Sequence, residues 1–141
     1  MNIYADTSFL VSLYLRDIHS TEAIERMATK PRLWLTPLHR AECAHAIERQ
    51  VFQKLLSRRE ARQVHALFEQ DRAEGVWNEV GLPEMALEVS VRLARRHAAR
   101  IGTRTLDALH VASALELKAE RFWTFDDRQA KLARAAGLKT A

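Results

Sequence analysis

The chain has 141 residues, of which 48% are hydrophobic and 28% charged, with a net charge of +4. This length and composition predict one folded domain, residues 1–141, and exclude a disordered chain. No stretch approaches the ~20 consecutive apolar residues of a membrane span, and no basic-then-apolar leader opens the sequence. Cys43 is the single cysteine, so we expect no internal disulfide and a cytoplasmic location. The basic excess favours polyanionic partners.

The first half of the chain alternates short apolar strands with helices. In order, its pattern predicts a strand at 2–5, a helix at 7–15, helical spacing around 21–28, a strand at 33–35, and helices at 37–55 and 57–73. Asp6 or Thr7 can cap the first helix. Thr36, followed by proline, is typical of a helix start, and Ser57 with a glutamate three residues later predicts a capping box. The predicted inward face of the 37–55 helix comprises Cys43, Ala44, Ile47, Val51 and Leu55.

The second half continues the alternation. It predicts a strand at 76–80, helices at 83–102 and 104–118, a strand at 122–124, a helix at 127–136 and a short edge strand at 138–140. Gly75, Gly102 and Gly137 mark helix ends. Short apolar strands separated by helices indicate a parallel sheet covered on both faces. In such folds ligands bind outside the carboxyl ends of the strands.

Four acidic residues follow strands or lie early in helices, and they are the best candidates for chemistry. They are Asp6, Glu42, Asp107 and Asp126. Each has a purely structural alternative, because Asp at a helix start caps the helix or complements its dipole and Glu is common on exposed helix faces. For Asp126 the alternative is a helix N-cap, with Gln129 completing a capping box. Their shared edge of the sheet favours a functional site. Clustered carboxylates need a cation, and Mg²⁺ prefers a few carboxylates plus waters. Such a site favours hydrolysis of phosphate esters.

The histidines and arginines indicate a function less specifically than the acids do. No tight Cys/His spacing predicts zinc. His110 lies one turn from Asp107 and could support it, although a packing role is the preferred interpretation. Two arginine runs, at 92–104 and 58–62, are equally compatible with a solvated helix face and with phosphate binding.

Taken together, these residues resemble the PIN-domain ribonucleases, in particular VapC-type toxins of bacterial toxin–antitoxin pairs. The resemblance is carried by four segments: Tyr4-Ala5-Asp6-Thr7-Ser8, Arg40-Ala41-Glu42, Arg104-Thr105-Leu106-Asp107-Ala108-Leu109-His110-Val111-Ala112-Ser113-Ala114 and Trp123-Thr124-Phe125-Asp126. They span almost the whole chain in the family's order and spacing. The resemblance implies a three-layer α/β/α fold with a central parallel sheet of four to five short strands.

The resemblance also implies a mechanism and partners. Asp6, Glu42, Asp107 and Asp126 would be the catalytic acids, with Asp6 and Asp107 as the principal Mg²⁺ or Mn²⁺ ligands and the other two holding metal-bound waters or a second ion. Ser8 and Thr124 would support the site. Asp127 directly follows Asp126, which leaves the fourth acid ambiguous by one residue. The implied substrate is RNA, and the implied partners are a second copy of the chain and a cognate antitoxin.

Three alternatives are open. A phosphotransfer domain of the haloacid dehalogenase type needs a second Asp two residues after the first, where this chain has Ser8. A receiver domain needs an Asp at the end of a mid-chain strand, where this chain has Val80-Gly81. An inactive RNA- or antitoxin-binding module of the same fold is disfavoured by the presence of all four acids.

Overall fold

A computed structural model describes residues 1–140 and follows the predicted alternation of strands and helices. Its elements are β1 (Ile3–Ala5), α1 (Thr7–Tyr14), α2 (Ser20–Met27), β2 (Trp34–Leu35), α3 (Pro37–Phe52), α4 (Arg58–Ala73), β3 (Asn78–Glu79), α5 (Ala86–Leu93), a π-helical segment (Ala94–Ala98), α6 (Ala99–Ile101), α7 (Thr105–Glu116), β4 (Arg121–Trp123), α8 (Asp127–Ala135) and β5 (Lys139–Thr140). Within those residues, no helix combines the length and the hydrophobicity that a membrane span requires.

The strands pair in parallel, as predicted, but they form two hydrogen-bonded sheets. One has the order β1-β4-β5 and the other pairs β2 with β3. In the larger sheet Tyr4 pairs with Phe122, and in the smaller one Leu35 pairs with Glu79. The three-layer α/β/α fold with a central parallel sheet of short strands is therefore confirmed, and its five strands are divided between two hydrogen-bonded ladders.

Side chains join β2 to β1 where a backbone ladder is missing. The Nε1 of Trp34 donates to Oδ1 of Asn2 at 2.6 Å. At the other end, Nε2 of His39 donates to the backbone oxygen of Ala5 at 2.7 Å. The Thr36 backbone N–H donates to Nδ1 of His39 at 3.0 Å, so the ring proton lies on Nε2. Burial, and then the charge that His110 carries when protonated, lower the pKa of His39 to about 3. His39 is thus a neutral donor in the place of a backbone N–H.

The two faces of the larger sheet bury different sets of side chains. Ile3, Ala5 and Trp123 face the core beneath α1 and α2. Tyr4 and Phe122 face the opposite core, which includes side chains from α7 and α8, and their rings stack with centroids 5.6 Å apart. This alternation explains why such short strands read as continuous apolar runs, because a parallel sheet is buried on both faces.

Several predicted boundaries shift in the structure. Helix α3 ends at Phe52, so Leu55 lies beyond it and is 67% exposed, and Ala44 is also exposed. The regular helix predicted from residue 83 begins only at Ala86. It reaches Ile101 through the π-helical segment, and Gly102 ends it in the left-handed conformation with φ 77°. The strand predicted at 76–80 pairs over Asn78–Glu79 alone.

Candidate active site

All four predicted acids line one cleft of about 660 Å³ next to the carboxyl ends of β1 and β4. Asp6 directly follows β1, and Asp126 caps α8 three residues after β4. Glu42 comes from α3 and Asp107 from the first turn of α7. The parallel connections thus deliver carboxylates from four separate parts of the chain to one edge, as the fold class requires.

Asp6 is the fully buried member of the group. Its Oδ1 accepts from the Ser8 hydroxyl at 2.6 Å and from the Phe9 backbone N–H at 3.2 Å, so it caps α1. Its Oδ2 accepts from the Thr124 hydroxyl at 2.5 Å. Burial raises the pKa of this carboxyl above its ordinary value, although these donors and the charge of a protonated His110 oppose the rise. The hydroxyls therefore hold a carboxylate whose burial is otherwise unfavourable.

The same two hydroxyls fix the loop that carries Asp126. The Thr124 Oγ1 accepts from the backbone N–H of Asp126 at 2.9 Å, and the Ser8 Oγ accepts from the backbone N–H of Phe125 at 3.1 Å. Each hydroxyl thus donates to Asp6 and accepts from the β4–α8 loop. This arrangement links the positions of the first and fourth acids.

Glu42 is held by a hydroxyl and an imidazole. Its Oε1 accepts from the Thr7 hydroxyl at 2.7 Å and from Nε2 of His110 at 2.5 Å. Burial alone would raise the pKa of Glu42, but the hydrogen bond from His110, the charge of that ring when it is protonated, and the Thr7 hydroxyl outweigh burial, so the pKa lies below its ordinary value. The Glu42 side chain is 27% exposed, so an ionised carboxylate faces the cleft.

Tyr4 completes this chain of hydrogen bonds. Its hydroxyl lies 2.8 Å from Nδ1 of His110, and both residues are buried. Because Nε2 of His110 donates to a carboxylate, the neutral ring accepts at Nδ1 from the Tyr4 hydroxyl. Burial raises the pKa of Tyr4 well above its ordinary value, so the phenol keeps its proton. The order Tyr4–His110–Glu42 sets both the tautomer of the ring and the orientation of the carboxylate.

Gln129 joins the other two acids. Its Nε2 donates to Oδ1 of Asp107 at 3.2 Å, and its backbone N–H donates to Oδ1 of Asp126 at 2.9 Å. The predicted capping box between Asp126 and Gln129 is therefore half correct, because the Gln129 side chain turns to Asp107 and not back to the cap. Its Oε1 is buried and has no hydrogen-bond partner within residues 1–140, so the cleft wall contains an unused acceptor.

Asp127 lies outside the cleft. It is the first residue of α8 and its side chain is exposed, whereas Asp126 lines the cleft. From the described part of the chain, Arg49 lines this cleft but no arginine of the 92–104 run does. The geometry therefore favours Asp126 as the fourth acid.

The donor set suits a hard divalent cation that keeps part of its water shell. Within residues 1–140, no three acidic, histidine or cysteine side chains lie close enough together to hold one ion directly. Mg²⁺ in proteins is commonly bound through one or two carboxylates, with waters completing its octahedron. Carboxylates from Asp6, Glu42, Asp107 and Asp126 around an open cleft fit that mode, and the four oxygen donors disfavour zinc.

Sequence reasoning missed three contributors to this arrangement. Thr7 was considered only as a helix cap, and Gln129 only as part of a capping box. His110 was given a packing role, although its position three residues after Asp107 puts both on one side of α7. The missing signal was the tertiary contact with Glu42, which is 68 residues away in sequence.

Several solved structures share this fold. The VapC20 toxin of Mycobacterium tuberculosis, described as cleaving the sarcin–ricin loop, superposes with a TM-score of 0.72 at 22% identity, over 96% of this chain and 95% of that one. FitAcB from Neisseria gonorrhoeae gives 0.73 at 15% identity, over 98% and 95%. VapBC2 from Rickettsia felis, bound to a DNA fragment from its promoter, gives 0.68 at 13% identity, over 100% and 98%.

Those likenesses show a shared fold. Among curated proteins, none matches the sequence significantly. The sequence does match the family model of the PIN domain over residues 3–135. This chain therefore belongs to the PIN-domain family.

Proposed function

We propose that this PIN-domain protein is a Mg²⁺- or Mn²⁺-dependent endoribonuclease, and that it is the VapC-type toxin of a toxin–antitoxin pair. The observation that carries the proposal is the meeting of four carboxylates from distant parts of the chain in one open cleft. The similarity to the VapC20 toxin and to VapBC2 supports the same conclusion at the level of the fold.

Each acid has a proposed role that follows from its surroundings. Asp6 and Asp107 would bind the divalent ion. Glu42, whose pKa is held low, is ionised at neutral pH and can accept a hydrogen bond from a water in the cleft. Asp126 would position a second water. When bound, the ion would neutralise the carboxylates and the substrate phosphate and make water a stronger nucleophile.

The remaining residues supply orientation. Ser8 and Thr124 hold Asp6, while Thr7 and His110 hold Glu42. Such preorganisation matters because a misplacement of about 1 Å can cost two orders of magnitude in rate.

Variants of Asp6 and Asp107 test the proposed chemistry. Asp6→Asn and Asp107→Asn each remove a charge while nearly keeping the shape, so we expect RNA cleavage to fall by orders of magnitude with an unchanged circular dichroism spectrum. Asp127→Asn is the matched control, because Asp127 is exposed outside the cleft. Chelation should abolish cleavage by the parent, and added Mg²⁺ or Mn²⁺ should restore it. Full activity in both cleft variants would overturn the metal-site proposal.

Association is the second part of the proposal. We propose a homodimer and a cognate antitoxin, which would cover apolar side chains that the single chain exposes. Phe52 and Leu55, at and just beyond the end of α3, are 87% and 67% exposed. Light scattering at tens of micromolar should give twice the monomer mass, a concentration that suits a roughly micromolar dimer. A monomer under those conditions contradicts the dimer.

A further inference from the structure

A second cleft, of about 750 Å³, opens on the α2 side of the larger sheet. Four basic residues line it: Arg26 from α2, Lys30 and Arg32 from the loop before β2, and Arg121 from the start of β4. No carboxylate lines it in the described part of the chain. The proposed chemistry at the four acids uses none of these residues, so the cleft needs its own explanation.

Most of this positive charge is uncompensated. Lys30, Arg32 and Arg121 form no ion pair within residues 1–140, whereas Arg26 pairs with Glu22 on the same helix. Three unpaired cations around one concave surface repel each other and attract an anion, and a low-dielectric wall strengthens that attraction. The volume is much larger than one phosphate needs, so the charges suit an extended anion.

The cleft borders a residue that has an unsatisfied donor. Trp123 lines it, and its Nε1 is buried without a hydrogen-bond partner within residues 1–140. A buried indole N–H normally finds a partner. The indole N–H has almost no accessible surface for a ligand, so the preference of the cleft for a negatively charged acceptor comes from its cations.

Aromatic side chains connect this basic cleft to the four acids. The Arg26 guanidinium lies 5.2 Å from the Trp123 ring centre and 5.9 Å from that of Phe125. The partly exposed ring of His19 stacks on Phe125 at 4.3 Å. The backbone N–H of Phe125 in turn donates to Ser8, which lines the acidic cleft. Cations and planar rings thus run from one cleft to the other.

We infer that the basic cleft binds backbone phosphates of the single-stranded RNA whose cleavage is proposed above, as a subsite beside the acidic cleft. This inference rests on the proposed function. An acidic protein segment would also suit the cations, but the partly exposed ring of His19 near Arg26 favours a nucleic acid, because a base can stack on such a ring. The subsite would hold one flank of the substrate while the acids act on a neighbouring phosphodiester.

Binding measurements with two double variants test the subsite. Lys30→Gln/Arg32→Gln removes two cations from the cleft, and the matched control, Arg59→Gln/Arg62→Gln, removes two exposed cations of α4 that line neither the basic nor the acidic cleft. Both are made in the full chain carrying Asp6→Asn, which is the parent for these measurements, so that labelled single-stranded RNA stays intact during fluorescence anisotropy. The cleft variant should lower the log–log salt slope by about 1.4, since each lost contact contributes about 0.7. The parent should then lose about sevenfold more affinity than this variant between about 50 and 200 mM salt. The control should match the parent.

The outcomes separate this inference from the proposed function. If the unmodified chain cleaves RNA and the slopes of both double variants equal the parent's, the ribonuclease stands and the subsite is refuted. If the cleft variant weakens binding of a polyglutamate peptide but leaves the RNA slope unchanged, the cleft serves an acidic protein and the inference is overturned. If only pyrophosphate binding changes, the cleft takes free anions and the RNA assignment is also overturned. A lower RNA slope in the cleft variant alone supports the subsite, even where cleavage is absent.

Discussion

Tyr4→Phe isolates the hydrogen bond that orders the histidine behind Glu42. The substitution removes one hydroxyl and leaves the ring, so packing against Phe122 and the other core residues is kept. What changes is the acceptor at Nδ1 of His110, which lies 2.8 Å from that hydroxyl. Tyr4 has no exposed surface and His110 is 1% exposed, so water does not readily replace the lost donor.

The expected cost is that of a buried polar atom without a partner, about 1–3 kcal/mol. A transition entropy of about 0.3 kcal/mol/K follows from ~2.1 cal/mol/K per residue over 141 residues. The Tm should therefore fall by about 3–10 °C. Tyr14→Phe provides the control, because the Tyr14 hydroxyl donates to Asp71, which is partly exposed and can be rehydrated. Because water can replace the lost donor at Asp71, the loss of stability in Tyr14→Phe should be smaller than that in Tyr4→Phe.

Urea unfolding followed by circular dichroism measures both free energies, and nitrogen NMR of the imidazole reports the tautomer. In the parent, the proton of His110 should lie on Nε2, towards Glu42. In Tyr4→Phe the Nδ1 resonance should shift, because its donor is gone. A loss of less than about 0.5 kcal/mol together with an unchanged Nδ1 resonance would show that the Tyr4 hydroxyl does not order this ring.

Two further predictions concern the acids themselves. Asp126→Asn should reduce RNA cleavage much more than Asp127→Asn, most visibly at low Mg²⁺, because Asp126 lines the cleft and Asp127 faces solvent. If the metal requirement shifts in the Asp127 variant alone, the fourth acid is misassigned by one position. Glu42→Gln should make the free energy of unfolding depend less on pH in acid. The folded-state pKa of Glu42 lies below its ordinary value of 4.5. The ionised side chain therefore contributes stability above pH 4.5, and this contribution is lost as pH falls through the folded pKa. If urea titrations of both proteins give the same loss of unfolding free energy in acid, the low pKa of Glu42 is contradicted.

The sequence was informative where local chemistry decides the outcome. Asp6 caps α1 and the box of Ser57 and Glu60 starts α4, because capping depends on residues within one turn. The alternation of strands and helices likewise predicts which residues reach the sheet edge. The segments around Asp6, Glu42, Asp107 and Asp126 together carry the resemblance to the PIN-domain family, and the family model confirms that family.

What escaped prediction depends on contacts between distant segments. Nothing near His110 in sequence indicates that its partner is Glu42 on α3. The sequence also gives no signal that His39 joins β1 to β2, since a histidine early in a helix is most often a surface residue. Ends of short strands also depend on pairing, so the predicted strand at 122–124 lies at Arg121–Trp123 and leaves Thr124 to hold Asp6.

The larger and the smaller sheet meet at a boundary between β1 and β2, which we call the seam. Across it, within residues 1–140, β1 and β2 are joined by side chains such as His39 and Trp34, with no ladder of main-chain bonds. Glu42 lies on the far side of this seam from the other three acids, and its bonds to Thr7 and His110 also cross it. Separation of the halves therefore breaks no strand pairing. The amides of β2 and β3 should exchange with deuterium before those of β1 and β4. Such an opening has to divide the apolar core that Leu35 and Phe9 share across the seam, and it would widen the distance between Glu42 and Asp6.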